Sequence, residues 1–243
     1  APVYAPFHLG GLINPLDQEM LRGATLYLGG APARYDGGLS YVMDLETRAG
    51  RYNSEHASLS VDMLSARASM EGPIVNRVSY LVGGRAVHGL GSRPFMHEGD
   101  FPYLYADGLV RVDFDLGKFG RVTTTGFWNR ESVRLDSLSG YKSQAIWGNG
   151  AGSVRYRGEF AGSNAELTVG LGNFRTQLPV GGVRPLMTDG IAKRTRVGLN
   201  LDRPVGPTHV HYGLQFDRLK YEYRAWPRPR TIREDSLVLH ADG

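Results

Sequence analysis

The chain has no cysteine. That excludes a disulfide framework and any thiolate metal site. Lysine is scarce, with 4 residues against 24 arginines, and the arginines are spread singly instead of clustering on one helix face. A basic stripe of the kind that grips nucleic acid is therefore absent. No run approaches the roughly 18 consecutive apolar residues of a spanning helix. Nor is the chain disordered by composition: aromatic residues make up 10% and apolar residues 41% of its 243 positions. Enzyme signatures are missing too. There is no Walker loop, no H-E-x-x-H and no nucleophile elbow, and the Gly148-Asn149-Gly150-Ala151-Gly152 run has no helix after it to hold a phosphate. The expectation is a protein that is not an enzyme and carries no cofactor. The chain does not open with Met or a signal peptide, and reads as a mature product or a piece of one.

What the sequence has in abundance is glycine, 33 residues, about twice the usual share. Together with 13 tyrosines, this points to many strands and tight turns. Residues 1–50 read as a small mixed α/β piece. Asn14 to Arg22 has a capping Asn, Pro at the first helical position and acids in the first turns, which predicts a short helix. Strands follow at Ala24–Leu28 and Leu39–Arg48, around a turn-rich stretch.

From Glu55 onward apolar and polar residues alternate, strand after strand. Leu59, Val61 and Met63 alternate with Ser58, Ser60 and Asp62; Val110, Val112 and Phe114 alternate with Arg111 and Asp113; Ala165, Leu167, Val169 and Leu171 alternate with Glu166, Thr168 and Gly170. Val210, Tyr212, Leu214 and Phe216 alternate with His211, Gly213 and Gln215. Period 2 means one apolar and one polar face. In the Thr-rich stretch Val122–Trp128 either face could be the apolar one.

Connections alternate in length. Short turns fall near Gly72–Asn76, Gly117–Gly120, Gly162–Asn164 and Pro204–Pro207; longer polar loops fall near His88–Pro102, Glu131–Gln144, Gln177–Asp189 and Ala225–Asp235. Long strands with short turns at one end and long loops at the other describe an outer-membrane barrel. About ten strands are countable, the last just begun at Ser236–Ala241, so residues 51–243 read as the first part of a larger transmembrane β-barrel. An open sheet of this size would expose both edges, and aggregation is expected if it is produced alone.

Three stretches resemble TonB-dependent outer-membrane receptors. Gly29-Gly30-Ala31-Pro32-Ala33-Arg34-Tyr35-Asp36-Gly37-Gly38-Leu39 is similar to the end of the plug domain. Met70-Glu71-Gly72-Pro73-Ile74 with Ser79-Tyr80-Leu81-Val82-Gly83-Gly84-Arg85 is similar to early barrel strands with a Glu-Gly-Pro turn. Tyr103–Asp107 through Gly126–Arg130 is similar to the next hairpin. Asp36 and Gly38 depart from the family's Gly and Arg. The resemblance implies that residues 1–50 are the C-terminal part of a plug domain. It also implies active uptake of a scarce ligand (an iron chelate, a cobalamin or an oligosaccharide) across the outer membrane. Its partners would be the TonB energy-transducing complex, acting through a segment this sequence does not hold, and outer-membrane lipid. The other readings are a passive porin-like barrel, a secreted carbohydrate-binding β-sandwich, and a barrel enzyme.

For site residues, a lock of plug arginine on barrel glutamate is implied in general, and Arg34, Arg67 and Glu71 are its candidates. The alternative is that each charge is solvated by water. Gly37 and Gly38 are candidates for positive φ in the plug turn, or are ordinary loop glycines. Arg111, Asp113, Asp115, Arg155, Arg157 and Glu159 would line the lumen, as a ligand path or as a hydrated wall. Tyr103, Tyr105, Trp128, Trp147, Tyr156, Tyr221, Tyr223 and Trp226 read as an interfacial girdle. His97, Glu98 and Asp100 form a loop cluster that matches no metal-ligand spacing. His209 and His211 share a strand face but are too few for a metal site.

Overall fold

The computed structural model describes residues 3, 16–29, 32, 35, 41–88, 102–134, 144–180, 186–227 and 237–242. Twelve strands account for most of them: β1 (Leu21–Leu28), β2 (Tyr41–Thr47), β3 (His56–Val61), β4 (Ser65–Val75), β5 (Val78–Val87), β6 (Tyr103–Asp115), β7 (Arg121–Arg134), β8 (Gln144–Phe160), β9 (Ser163–Val180), β10 (Leu186–Val205), β11 (Thr208–Pro227) and β12 (Leu237–Asp242). The protein is mainly β. β1 and β2 pair as an antiparallel hairpin, and β3 to β12 form one ten-stranded antiparallel meander in chain order.

Ten strands after Glu55 are what the alternation predicts. The predicted helix at Asn14–Arg22 is not formed over its described residues. Gln18–Met20 is a single 3-10 turn, and Leu21 already begins β1. Asp17 caps that turn, its carboxylate accepting the Glu19 N–H at 3.1 Å. Pairing explains the outcome. β2 offers Leu21 to Leu28 a ladder from Leu21↔Thr47 to Leu28↔Tyr41, and long-range partners of this kind override weak local helix propensity. The Glu71-Gly72-Pro73 stretch is not a turn either. β4 runs through it to Val75 with an irregularity between Pro73 and Val75, and the chain reverses at Asn76-Arg77, where Arg77 takes φ 65°. The other short turns fall where predicted, with positive-φ glycines at Gly117, Gly120, Gly162 and Gly206.

The two faces of the large sheet differ in kind. On one, a row runs across six pairings, Tyr80↔Val112↔Thr124↔Val154↔Val169↔Val197↔Phe216. Its neighbours Val82, Val110, Leu167, Leu171 and Leu214 lie with it, and these side chains stand exposed. Val122, Thr124, Gly126 and Trp128 share this face, which settles the ambiguous strand. Nothing among the described residues covers it. The opposite face carries the N-terminal hairpin. There Leu16, Met20, Leu81, Leu109 and Phe127 form a buried cluster, with Leu21 and Leu45 packed against it. A Cβ at Gly83 would lie 1.7 Å from the Met20 Cε, so Gly83 is what lets Met20 seat on β5.

Candidate functional site

The seam between the hairpin and the covered face is built from charges at its edges and apolar side chains at its centre. Period 2 puts Ser65, Arg67, Ser69 and Glu71 of β4 on the covered face, where the segment after β2 crosses. Glu71 is buried, with 3% of its side chain exposed, and it sits between two guanidiniums. Arg48 Nη1 donates to Oε2 at 2.5 Å. Arg51 lies at 3.3 Å from Oε1 and gives its backbone N–H to Oε2 at 3.2 Å. Arg48 also donates through Nε to the Glu19 carbonyl, which joins both ends of the hairpin to the same point. A buried carboxylate requires this kind of pairing, since an unmatched one is strongly penalised.

Arg67 makes the second fastening. Its guanidinium lies 3.6 Å from Asp17 beside the 3-10 turn and 2.7 Å from Asp62 in the β3–β4 turn. Asp62 accepts the backbone N–H groups of Leu64 and Ser65 at 2.8 and 2.7 Å and the Ser65 hydroxyl at 2.8 Å. The Leu64 N–H above all, then the Ser65 hydroxyl and Arg67, hold the Asp62 carboxyl well below the usual aspartate range. Nearby, the Ser58 hydroxyl donates to Glu19 at 3.1 Å.

A third fastening lies at the short-turn end. Arg111 grips Asp113 through two hydrogen bonds of 2.7 Å and donates to the Thr47 carbonyl at the end of β2. Thr123 donates to the same Asp113 at 2.7 Å. Arg157 lies 3.8 Å from Glu46 of β2 and 2.7 Å from Glu166. Between hairpin and sheet here is a cavity of about 610 Å³, with Arg22, Thr47, Arg121 and Thr123 on its walls. Gly50 shows how close the approach is: a Cβ there would fall 1.9 Å from the Tyr80 carbonyl oxygen.

Of the residues singled out in the sequence, Arg67 and Glu71 both contact the N-terminal segment, through Asp17 and through Arg48 and Arg51. Arg34, Gly37 and Gly38 lie outside the described residues, as do His97, Glu98 and Asp100. Arg111, Asp113, Arg155 and Arg157 share the covered face, and Arg111 and Arg157 reach the hairpin. Asp115 instead accepts the Gly117 N–H at 2.9 Å. The girdle expectation needs correction. Tyr103 and Tyr105 are buried on the covered face, where Tyr103 donates to Glu131 at 2.6 Å and Arg85 lies over the Tyr105 ring. By register Trp147, Tyr221 and Tyr223 share that face. The strand parity carries this signal: counting back by twos from Asp113 reaches Tyr105 and Tyr103. Trp128, Tyr156 and Trp226 do belong to the bare face. His209 and His211 stack at 6.4 Å and both approach Asp202, at 3.2 and 3.4 Å.

Arg48 and Arg51 were not singled out in the sequence. Their one signal is position, on either side of the predicted boundary at residue 50. The seam is a set of ion pairs and apolar contacts that can part and re-form in water without covalent change. Compared with known proteins, the chain matches no family model, no curated protein and no solved structure.

Proposed function

We propose that this chain is the plug-to-barrel region of a TonB-dependent outer-membrane receptor, a transporter that takes up a scarce ligand and does no chemistry on it. One observation carries the reading. The large sheet is apolar across the face that no described residue covers, while the face that the preceding segment fills is charged at its edges around a small apolar centre of Leu81, Leu109 and Phe127. A soluble sheet is arranged the other way, with its apolar face against the core. A sheet facing lipid needs apolar side chains outside and has water or a plug inside. The height of the apolar band agrees. On β9 it runs from Ala165 to Leu171 and on β11 from Val210 to Phe216, and polar residues follow on both strands. The band is seven residues long on each strand, and nine with Ser163 and Thr208 at the turn side, the lower end of the roughly 9–11 residues that take a tilted strand across a bilayer core.

The hairpin and the 3-10 turn stand where a plug would stand, held by Glu71, Arg67 and Arg111. The fastenings are polar and reversible, which suits a plug that moves when energy is delivered through TonB. A carbohydrate-binding sandwich would pack a second layer on Val154, Val169 and Val197, and here the second layer lies on the opposite face.

The test is fractionation of the full-length gene product. It is expected in the outer membrane, with migration on unheated gels that shifts on boiling. Val169→Arg should sharply lower the inserted, heat-modifiable fraction, since an arginine facing the bilayer midplane costs about 2–4 kcal/mol. A soluble product, or a Val169→Arg variant that inserts normally, would overturn the reading.

A further inference from the structure

The cavity of about 610 Å³ at the short-turn end has a wall whose charges are incompletely matched. Four guanidiniums line it, from Arg22, Arg111, Arg121 and Arg157, against two carboxylates, Glu46 and Asp115. Arg111 is matched by Asp113 behind the wall. Arg157 is matched by Glu166 at 2.7 Å, a carboxylate that Arg155 also approaches at 3.9 Å. Glu46 lies 3.5 Å from Arg22 and 3.8 Å from Arg157, beyond good hydrogen-bond distance of either. Asp115 turns its Oδ1 to the Gly117 N–H.

Arg121 is the cation left over. Its cross-strand partners on this face are Asp115 on β6 and Arg157 on β8. It makes no ion pair among the described residues, and its guanidinium lies 6.0 Å from the centre of the Tyr52 ring. Like charges directly opposite on neighbouring strands repel, so the Arg121–Arg157 pair is a place where a bound anion relieves strain between side chains. Arg77 stands close behind, with its Nη1 3.1 Å from where a Gly117 Cβ would be. It too has no carboxylate partner among the described residues.

The space is open to a ligand. Gly117 and Gly120 put no side chain into it, and a Cβ at Gly120 would fall 2.1 Å from the Arg157 carbonyl oxygen, so the β6–β7 turn lies flush on β8. Arg22, Arg121 and Arg157 are exposed. The Thr47 hydroxyl accepts from Arg111 at 3.1 Å and keeps its own proton to give. The volume falls within the roughly 300–1,000 Å³ of small-molecule sites.

We infer that this cavity binds the oxyanion groups, carboxylate or phosphate, of a small anionic ligand. Arg121 and Arg157 on the sheet form one side of the clamp and Arg22 on the hairpin the other. Guanidinium suits such groups because its forked donors match two oxygens at once. The clamp is complete only while the hairpin is seated, so moving the hairpin separates Arg22 from its partners and frees the anion at the short-turn end. The assignment of this anion as the transported ligand rests on the receptor reading above; the binding does not.

The experiment is isothermal titration calorimetry of the full-length product in neutral detergent at fixed ionic strength. The probes are citrate, inorganic phosphate and, as an uncharged control, maltose. One equivalent of citrate or phosphate should bind, the tighter of the two naming the oxyanion, and maltose should not. An Arg121→Ala, Arg157→Ala double variant should weaken binding about 100-fold, at about tenfold for each charge-assisted contact. Arg121→Lys with Arg157→Lys keeps the charge without the fork and should fall between. Arg130→Ala with Arg175→Ala removes the same charge from the opposite face and should change nothing. Because the site bridges hairpin and sheet, the anion should also raise amide protection of β1 and β2, and the Arg121→Ala, Arg157→Ala variant should lose that rise. Absence of anion binding, equal binding of maltose, or equal weakening by the two alanine double variants would each overturn the inference. Heat-modifiable migration is scored on the same preparations, so each of those results leaves the receptor reading in place, whereas a soluble product that binds the anion would overturn that reading and keep the site.

Discussion

Glu71→Ala tests whether the hairpin is held to the sheet by charge. The carboxylate accepts from Arg48 at 2.5 Å and from the Arg51 backbone at 3.2 Å, with the Arg51 side chain at 3.3 Å. Hydrogen bonds to charged groups contribute about 1.5–3 kcal/mol each, and removing one partner of a fully buried pair costs about 3–5 kcal/mol. The two arginines are not sealed in, however. Their side chains are 29% and 54% exposed, and Arg48 keeps its bond to the Glu19 carbonyl. Both regain water when Glu71 is lost, so the expected cost is near the lower end, about 2 kcal/mol. That corresponds to about a 30-fold rise in the undocked population. Amide hydrogen exchange on the full-length protein in detergent reads this directly. Protection of the β1 and β2 amides should fall about 30-fold, and protection of β6 to β9 should not change. Glu71→Gln, which keeps an acceptor and loses the charge, should fall between. Unchanged hairpin protection in Glu71→Ala would refute the reasoning, and so would an equal fall in hairpin and sheet.

Gly50→Ala should loosen the same hairpin without touching a charge. Its Cβ would sit 1.9 Å from the Tyr80 carbonyl, β5 is paired on both sides, and the expected cost is about 1–3 kcal/mol of overpacking, read by faster proteolysis at the segment after β2. Met20→Ala empties the seat on Gly83 and should cost about 2–3 kcal/mol of docking, seen as loss of hairpin exchange protection with the sheet intact. Asp62 gives a pH test. Its folded-state pKa is depressed, so its contribution is present above the ordinary aspartate range and lost only as pH falls through the lower folded value. A carboxyl NMR titration should therefore show Asp62 still ionised at pH 4, and Arg67→Ala should raise its midpoint. A midpoint at the ordinary value in the parent protein would count against the turn geometry.

The number of strands and the character of their faces come from alternation, which is local and readable wherever the period is kept. Val110, Val112 and Phe114 against Arg111 and Asp113 need no partner to declare two faces, and the same parity already assigns Tyr103 and Tyr105 to the side of Arg111. Period 2 says nothing, though, about which face meets solvent, lipid or chain. Only the tertiary structure decided which face the chain itself covers, by laying the hairpin on the side of Arg111 and Asp113. It also decided that Glu71-Gly72-Pro73 stays in a strand, because β5 offers register partners through Tyr80 and Ser79, and that Leu21 and Arg22 extend β1 although their local signals favour a helix. The partners of Glu71 were beyond the sequence for a related reason. An ion pair is fixed by where two segments cross in space, and Arg48 and Arg51 reach β4 because the chain after β2 passes over its covered face. Sequence spacing records how far apart residues are along the chain, and it carries no trace of that crossing.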